Sequence, residues 1–118
     1  MNETIDRFYR AMQHGPNGVD ALVALLADDA VYVEPFSGGT HEGREAIRAF
    51  LAQSQGQLPD VQIIVDRIDV DGESVTTEWT CMSSAFAKPS RGRDEFTIRD
   101  GKIARLETTL TEPPELRG

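Results

Sequence analysis

Glu34 stands inside Ala30-Val31-Tyr32-Val33-Glu34-Pro35-Phe36, a β-branched and aromatic run with the composition of a strand. A carboxylate in such a run faces either water or an apolar hollow. In a hollow its ionised form is disfavoured, its pKa rises, and it becomes a proton acceptor usable near neutral pH. Side chains two apart on a strand share a face, roughly 6.5 Å apart along the chain. Tyr32 and Glu34 therefore point the same way, with Val31 and Val33 on the opposite face. Asp94 shares strand parity with Phe96 and Ile98 and is a second carboxyl able to face an apolar interior. Tyr9 is a phenol on an apolar helical stripe. An apolar hollow with a carboxylate and a phenol as its few convergent polar groups is the usual form of a small-molecule site. Each residue also has a plainer reading. Glu34 can face solvent or pair with an arginine such as Arg44, Asp94 can open a strand beside Arg93, and Tyr9 and Tyr32 can be core aromatics.

The elements that must position these groups divide the chain in two. Ile5, Phe8, Tyr9 and Met12 recur at helical spacing and predict a helix from about Glu3 to Gln13. Gly15-Pro16-Asn17-Gly18 breaks it, and a second helix is expected from about Val19 to Ala27 with Leu22, Leu25 and Leu26 inward. Asp28-Asp29 leads into the Val31–Glu34 strand. Phe36 to Thr40 reads as a loop, and Arg44 to about Gln53 as a third helix carrying Ile47, Phe50 and Leu51. After Pro59 the period changes to two. Val61, Ile63 and Val65 share one face while Ile68 and Val70 continue on the other, so a bulge is expected at Asp66-Arg67. Asp71-Gly72 and Asp100-Gly101 are hairpin turns. Strands are expected over Ser74–Phe86, Arg93–Arg99 and Lys102–Thr111, with Lys88–Gly92 a loop and residues 112–118 a loosely held tail around Pro113-Pro114.

Composition limits the partners. The 118 residues are 39% hydrophobic and 27% charged, as in one globular domain with its own core. A net charge of -8, from 20 acidic and 12 basic residues, argues against nucleic acid and anionic membrane. One cysteine, Cys81, excludes an internal disulfide, and with two histidines there is no ligand spacing for a metal; no cofactor is expected. No apolar run approaches ~18 residues and no leader pattern is present, so a cytoplasmic protein is expected.

Leu26-Ala27-Asp28-Asp29-Ala30-Val31-Tyr32-Val33-Glu34-Pro35-Phe36, followed by His41-Glu42-Gly43-Arg44-Glu45-Ala46-Ile47, resembles the SnoaL-like and ketosteroid isomerase-like branch of the nuclear transport factor 2-like superfamily. The order of three helices and then hairpins agrees over nearly the whole chain. The resemblance implies an α+β fold, a cone-shaped α+β barrel with three N-terminal helices packed on a strongly curved, mainly antiparallel sheet. It implies Glu34 as general base, and Asp94 with Tyr9 or Tyr32 as oxyanion donors. Phe36, Trp79, Phe96 and Leu106 are expected to line the pocket, although the parity of Trp79 also suits a dimer interface. The implied activity is of isomerase or cyclase type on an apolar small molecule, in a homodimer. The alternatives are a non-catalytic ligand-binding or dimerisation module and, ranked last, a hydrolase.

Overall fold

The computed structural model describes residues 3–55 and 60–116. Helix α1 (Glu3–Met12) buries Ile5, Phe8 and Tyr9 of the predicted stripe together with Ala11, while Met12 is half-buried against them. A 3₁₀ turn at Gly15–Gly18 follows, then a short α2 (Val19–Val23) and, later, α3 (Arg44–Gln55). The strands are β1 (Leu26–Val33), β2 (Thr40–Glu42), β3 (Gln62–Asp71), β4 (Ser74–Met82), β5 (Phe86–Lys88), β6 (Ser90–Arg99), β7 (Lys102–Glu112) and β8 (Glu115–Leu116). Six of them form a sheet in the order β2-β1-β7-β6-β4-β3, while β5 and β8 pair apart. All neighbours in the large sheet are antiparallel except β1 and β7. The fold is thus the expected α+β arrangement of three helices with a curved, mostly antiparallel sheet.

Curvature comes from places where the alternation slips. The β3–β4 register shifts between Val65 and Arg67, the position that the change of parity predicts. A second slip separates Thr97 from Ile98 against β7, which lets Ile103 and Leu106 both face the core despite their odd spacing. The hairpin at Asp100-Gly101 has positive φ at both residues, 54° and 76°, as a type I′ turn requires. Phe8, Tyr9 and Phe96 form the centre of the core, with edge-to-face ring pairs at 5.0, 5.2 and 6.1 Å.

Several boundaries differ from expectation. Helix α2 stops at Val23 because Leu26 is needed in the sheet: it pairs with Ile103, whose N–H donates to the Leu25 carbonyl. The Leu26 carbonyl also accepts the Arg44 guanidinium, at 3.0 and 2.7 Å. Strand β4 ends at Met82, and Lys88–Gly92 is not a loop, since β6 already begins at Ser90. Thr40–Glu42 forms a strand against β1 that local composition does not announce. The tail is tied down in part, Glu115 and Leu116 pairing with Lys88 and Phe86. Pro59, where the period changes, and Arg117 and Gly118 of the tail lie outside the described residues.

Candidate functional site

Strand register places the polar groups of the inner face in a single row. Thr77 on β4 lies opposite Asp94 on β6, and Asp94 lies opposite Thr108 on β7. The row is bounded on one side by Val75, Phe96 and Leu106, and on the other by Trp79, Gly92 and Leu110. From β1, Tyr32 lies opposite Leu106, and from α1, Tyr9 reaches down onto the row. Three of the expected pocket residues, Trp79, Phe96 and Leu106, are therefore buried on this face.

Asp94 is 5% exposed and is the hub of the row. The Tyr9 hydroxyl donates to Oδ2 at 2.6 Å, and the Thr108 hydroxyl donates to Oδ1 at 2.7 Å. Behind these, Thr77 is hydrogen-bonded to the Tyr9 hydroxyl, and the Tyr32 and Thr108 hydroxyls lie 3.4 Å apart. Burial pushes the Asp94 carboxyl above the ordinary carboxylate range, against the opposing effect of its hydroxyl donors. Burial and the Asp94 charge likewise push the phenols of Tyr9 and Tyr32 upward, so both remain proton donors. The arrangement can hold a proton on a carboxyl in apolar surroundings and offer it, with phenolic O–H groups, to an oxygen.

Glu34 is in a different setting. Tyr32 and Glu34 do share the buried face, as parity predicts, and Glu34 is 2% exposed. Its partner is not Arg44, which instead pairs with Asp28 at 3.0 Å. The chain turns back at Pro35, and the following loop wraps the carboxylate. Ser37 donates its N–H at 2.9 Å and its hydroxyl at 2.5 Å to Oε1, and Gly39 donates its N–H at 3.1 Å. Burial acts to raise the pKa of Glu34, but the combined bonds from Ser37 and Gly39 outweigh it and hold the carboxyl below its ordinary value. The elevated pKa expected of a carboxylate in a hollow is therefore absent, because the hollow supplies N–H and O–H donors. Phe36 is also corrected: at 57% exposed it lies outside the core, since the same wrapping turns it outward.

His41 is a neighbour that composition alone does not single out. It lies opposite Tyr32 in the β1–β2 pair, its Nε2 is 4.0 Å from Glu34 Oε2, and its ring stacks on Phe50 at 4.6 Å. Nε2 is buried without a hydrogen-bond partner. Thr108 is likewise not singled out by composition, although it stands two residues from the core Leu106 on β7 and shares its face. Between helices and sheet lies an apolar cavity of about 20 Å³, room for about one water, bordered by Phe8, Met12, Leu22, Tyr32, Leu51 and Leu106. Tyr32 thus borders the cavity, the Asp94 row and the Glu34 loop.

A model of the SnoaL-like domain matches residues 5–106. The chain belongs to the SnoaL-like domain family. Among solved structures, it is similar to a candidate polyketide cyclase from Sinorhizobium meliloti, with 26% identity, a TM-score of 0.80, and coverage of 92% of this chain and 95% of that one. A candidate ketosteroid isomerase from Kribbella flavida shares 20% identity at a TM-score of 0.76, covering 99% of this chain and 82% of that one. A protein with ketosteroid isomerase-like fold from Catenulispora acidiphila, in complex with trimethylamine, shares 22% identity at a TM-score of 0.75, covering 91% and 84%. At those last two identities the likeness speaks for the SnoaL-like fold alone. A comparison with curated proteins finds no match. No helix among the described residues is long and apolar enough to cross a membrane, and no group of three or more potential metal ligands occurs among them.

Proposed function

We propose that this SnoaL-like chain acts on an apolar small molecule bearing a carbonyl or enol oxygen, in the manner of an isomerase or cyclase. The Asp94 row binds the oxygen, Tyr9 and Tyr32 supply its phenolic donors, and Glu34 accepts the proton from the neighbouring carbon. The observation that carries the reading is the buried Asp94 carboxyl, with a hydroxyl donor on each oxygen and its neutral form favoured. Such a carboxyl can donate a hydrogen bond to an oxygen that gains negative charge, which lowers the barrier to enolisation. Ser37 and Gly39 gather their donors on Oε1, and Oε2 takes only the Ser37 N–H at 3.2 Å, so Oε2 is the oxygen with lone pairs left to accept the proton. The name of the candidate polyketide cyclase neighbour supports the reaction class.

A second reading is a non-catalytic ligand-binding or dimerisation module. The satisfied hydrogen bonds of Glu34 and the cavity of about 20 Å³ favour it. Deuterium incorporation separates the two. The chain is incubated in D₂O with small 1,3-diones and β,γ-unsaturated ketones, and exchange next to the carbonyl is followed by proton NMR. Exchange above the buffer rate that is lost in Glu34→Gln and slowed in Asp94→Asn supports the enzyme, with general acid–base contributions of about 10²–10⁴-fold. Binding without exchange leaves the module. We further place the protein in the cytoplasm as a homodimer formed through the outer sheet face; a monomer in light scattering overturns the dimer.

A further inference from the structure

Two buried side-chain nitrogens lack a hydrogen-bond partner among the described residues, His41 Nε2 and Trp79 Nε1. His41 belongs with Glu34. Trp79 lies on the other flank of the Asp94 row and is 7% exposed. It stands opposite Gly92, two pairs along from the Thr77–Asp94 pair and so on the same face. A Cβ on Gly92 would fall 2.4 Å from Cζ2 and 2.6 Å from Cη2 of the indole, so glycine is what lets the ring lie against β6. In that position the indole N–H acts on the Asp94 carboxyl and favours its charged form, yet it closes no hydrogen bond. An indole nitrogen can only donate, and an unmet donor in apolar surroundings is costly. The indole is thus a buried donor close enough to act on Asp94 but without a bond of its own.

We propose that Trp79 is a ligand-binding residue whose indole N–H, together with Asp94, clamps the carbonyl or phenolic oxygen of an apolar small molecule, and that Gly92 is the positioning residue for its ring. The proposal rests on the reading of the inner face as a small-molecule site. One lone pair of the oxygen accepts from the indole and the other from the protonated carboxyl, while the ring face covers the adjoining apolar body. An ammonium head is not served at this point, since the indole offers no acceptor.

Trp79 is the single tryptophan of the chain, so the indole cross-peak of a ¹H–¹⁵N spectrum reads this N–H alone. Phenol and cyclohex-2-enone are titrated separately into the full ¹⁵N-labelled chain. The expected result is a saturable downfield movement of the indole proton, with dissociation constants raised about fivefold in Trp79→Phe, the effect of losing one neutral hydrogen bond. Gly92→Ala keeps the N–H but displaces the ring, and it is expected to move the free indole peak and weaken both probes. If Trp79→Phe does not fold, the wild-type indole shift and Gly92→Ala decide. Probes that move the amides of Tyr32, Asp94 and Thr108 but not the indole overturn the Trp79 assignment and leave the site reading standing. So does unchanged affinity in Trp79→Phe. If neither probe moves any inner-face resonance, both readings fall.

Discussion

Replacing Asp94 with Asn gives a near-isosteric side chain that cannot ionise, and the consequence for stability depends on pH in a defined direction. Burial raises the folded pKa of Asp94 above its unfolded value, which for an aspartate is about 3.9. Below that unfolded pKa the carboxyl is protonated in both states and contributes nothing to a pH dependence. As pH climbs from there to the folded pKa, the unfolded chain releases a proton that the folded chain keeps, so the wild type loses stability. The loss is about 1.4 kcal/mol for each unit separating the two values. Asp94→Asn has no such loss. Its stability relative to wild type should therefore rise with pH from about 4 and level off once Asp94 is ionised in the folded protein. At low pH the variant should be equal to wild type or less stable, because the carboxyl O–H and the amide N–H₂ must each find acceptors among Tyr9, Thr77 and Thr108. Urea unfolding of both proteins between pH 4 and 9 measures the difference, in which the other titrating groups cancel. A flat difference, or one that falls as pH rises, refutes the placement of Asp94 in a desolvated, cation-free setting.

Glu34→Gln should show the opposite sign. A folded pKa held low gives stability that is present above the unfolded value of about 4.3 and lost as pH falls through the folded one, so the wild type should exceed the variant at pH 7 by about 1–3 kcal/mol and approach it in acid; urea unfolding at pH 3 and pH 7 checks this. Ser37→Ala removes the shortest bond to Glu34 and should move the carboxyl upward in a side-chain NMR titration, and no movement would remove Ser37 as the cause of its low pKa. Phe96→Ala should cost about 3–5 kcal/mol because its ring is enclosed by α1, whereas Phe36→Ser should stay within about 0.5 kcal/mol. Similar losses from both in thermal unfolding would contradict the outward position of Phe36.

Much of the sheet was legible because alternation is a strict signal. The slip at Asp66-Arg67 and the shared face of Tyr32 and Glu34 follow from counting by two, and the Asp100-Gly101 turn from its Asp-Gly pair. The parity of Asp94 with Phe96 likewise indicated a carboxyl facing the core. What failed was set by partners far away in the chain. Leu26 reads as helical from Leu22 and Leu25, but pairing with Ile103 and the Arg44 bonds draw it into β1. Phe36 was an aromatic beside a candidate site, and nothing local says that Ser37 and Gly39 fold back onto Glu34 and turn the ring out. Parity tells which face a carboxylate takes; it does not tell whether that face is dry or lined with N–H groups.

That distinction changes how the two carboxyls are read. Both are buried within the same small domain, and burial alone would raise both. Asp94 meets two hydroxyl donors and the nearby Trp79 indole, and desolvation wins; Glu34 meets two backbone N–H groups and a hydroxyl, and hydrogen bonding wins. Tyr32 lies between the two, its phenol raised by burial and by the negative charge that either carboxyl presents when ionised. Two acids pushed in opposite directions around a shared phenol are the electrostatic precondition for acid–base work, one side donating and the other accepting. The donors that keep Glu34 ionised gather on one oxygen, Oε1, while Oε2 takes only the Ser37 N–H at 3.2 Å. On the proposed reading, Oε2 is therefore the atom of Glu34 that would take the proton, and the loop over residues 35–39, by holding Oε1, sets where Oε2 points.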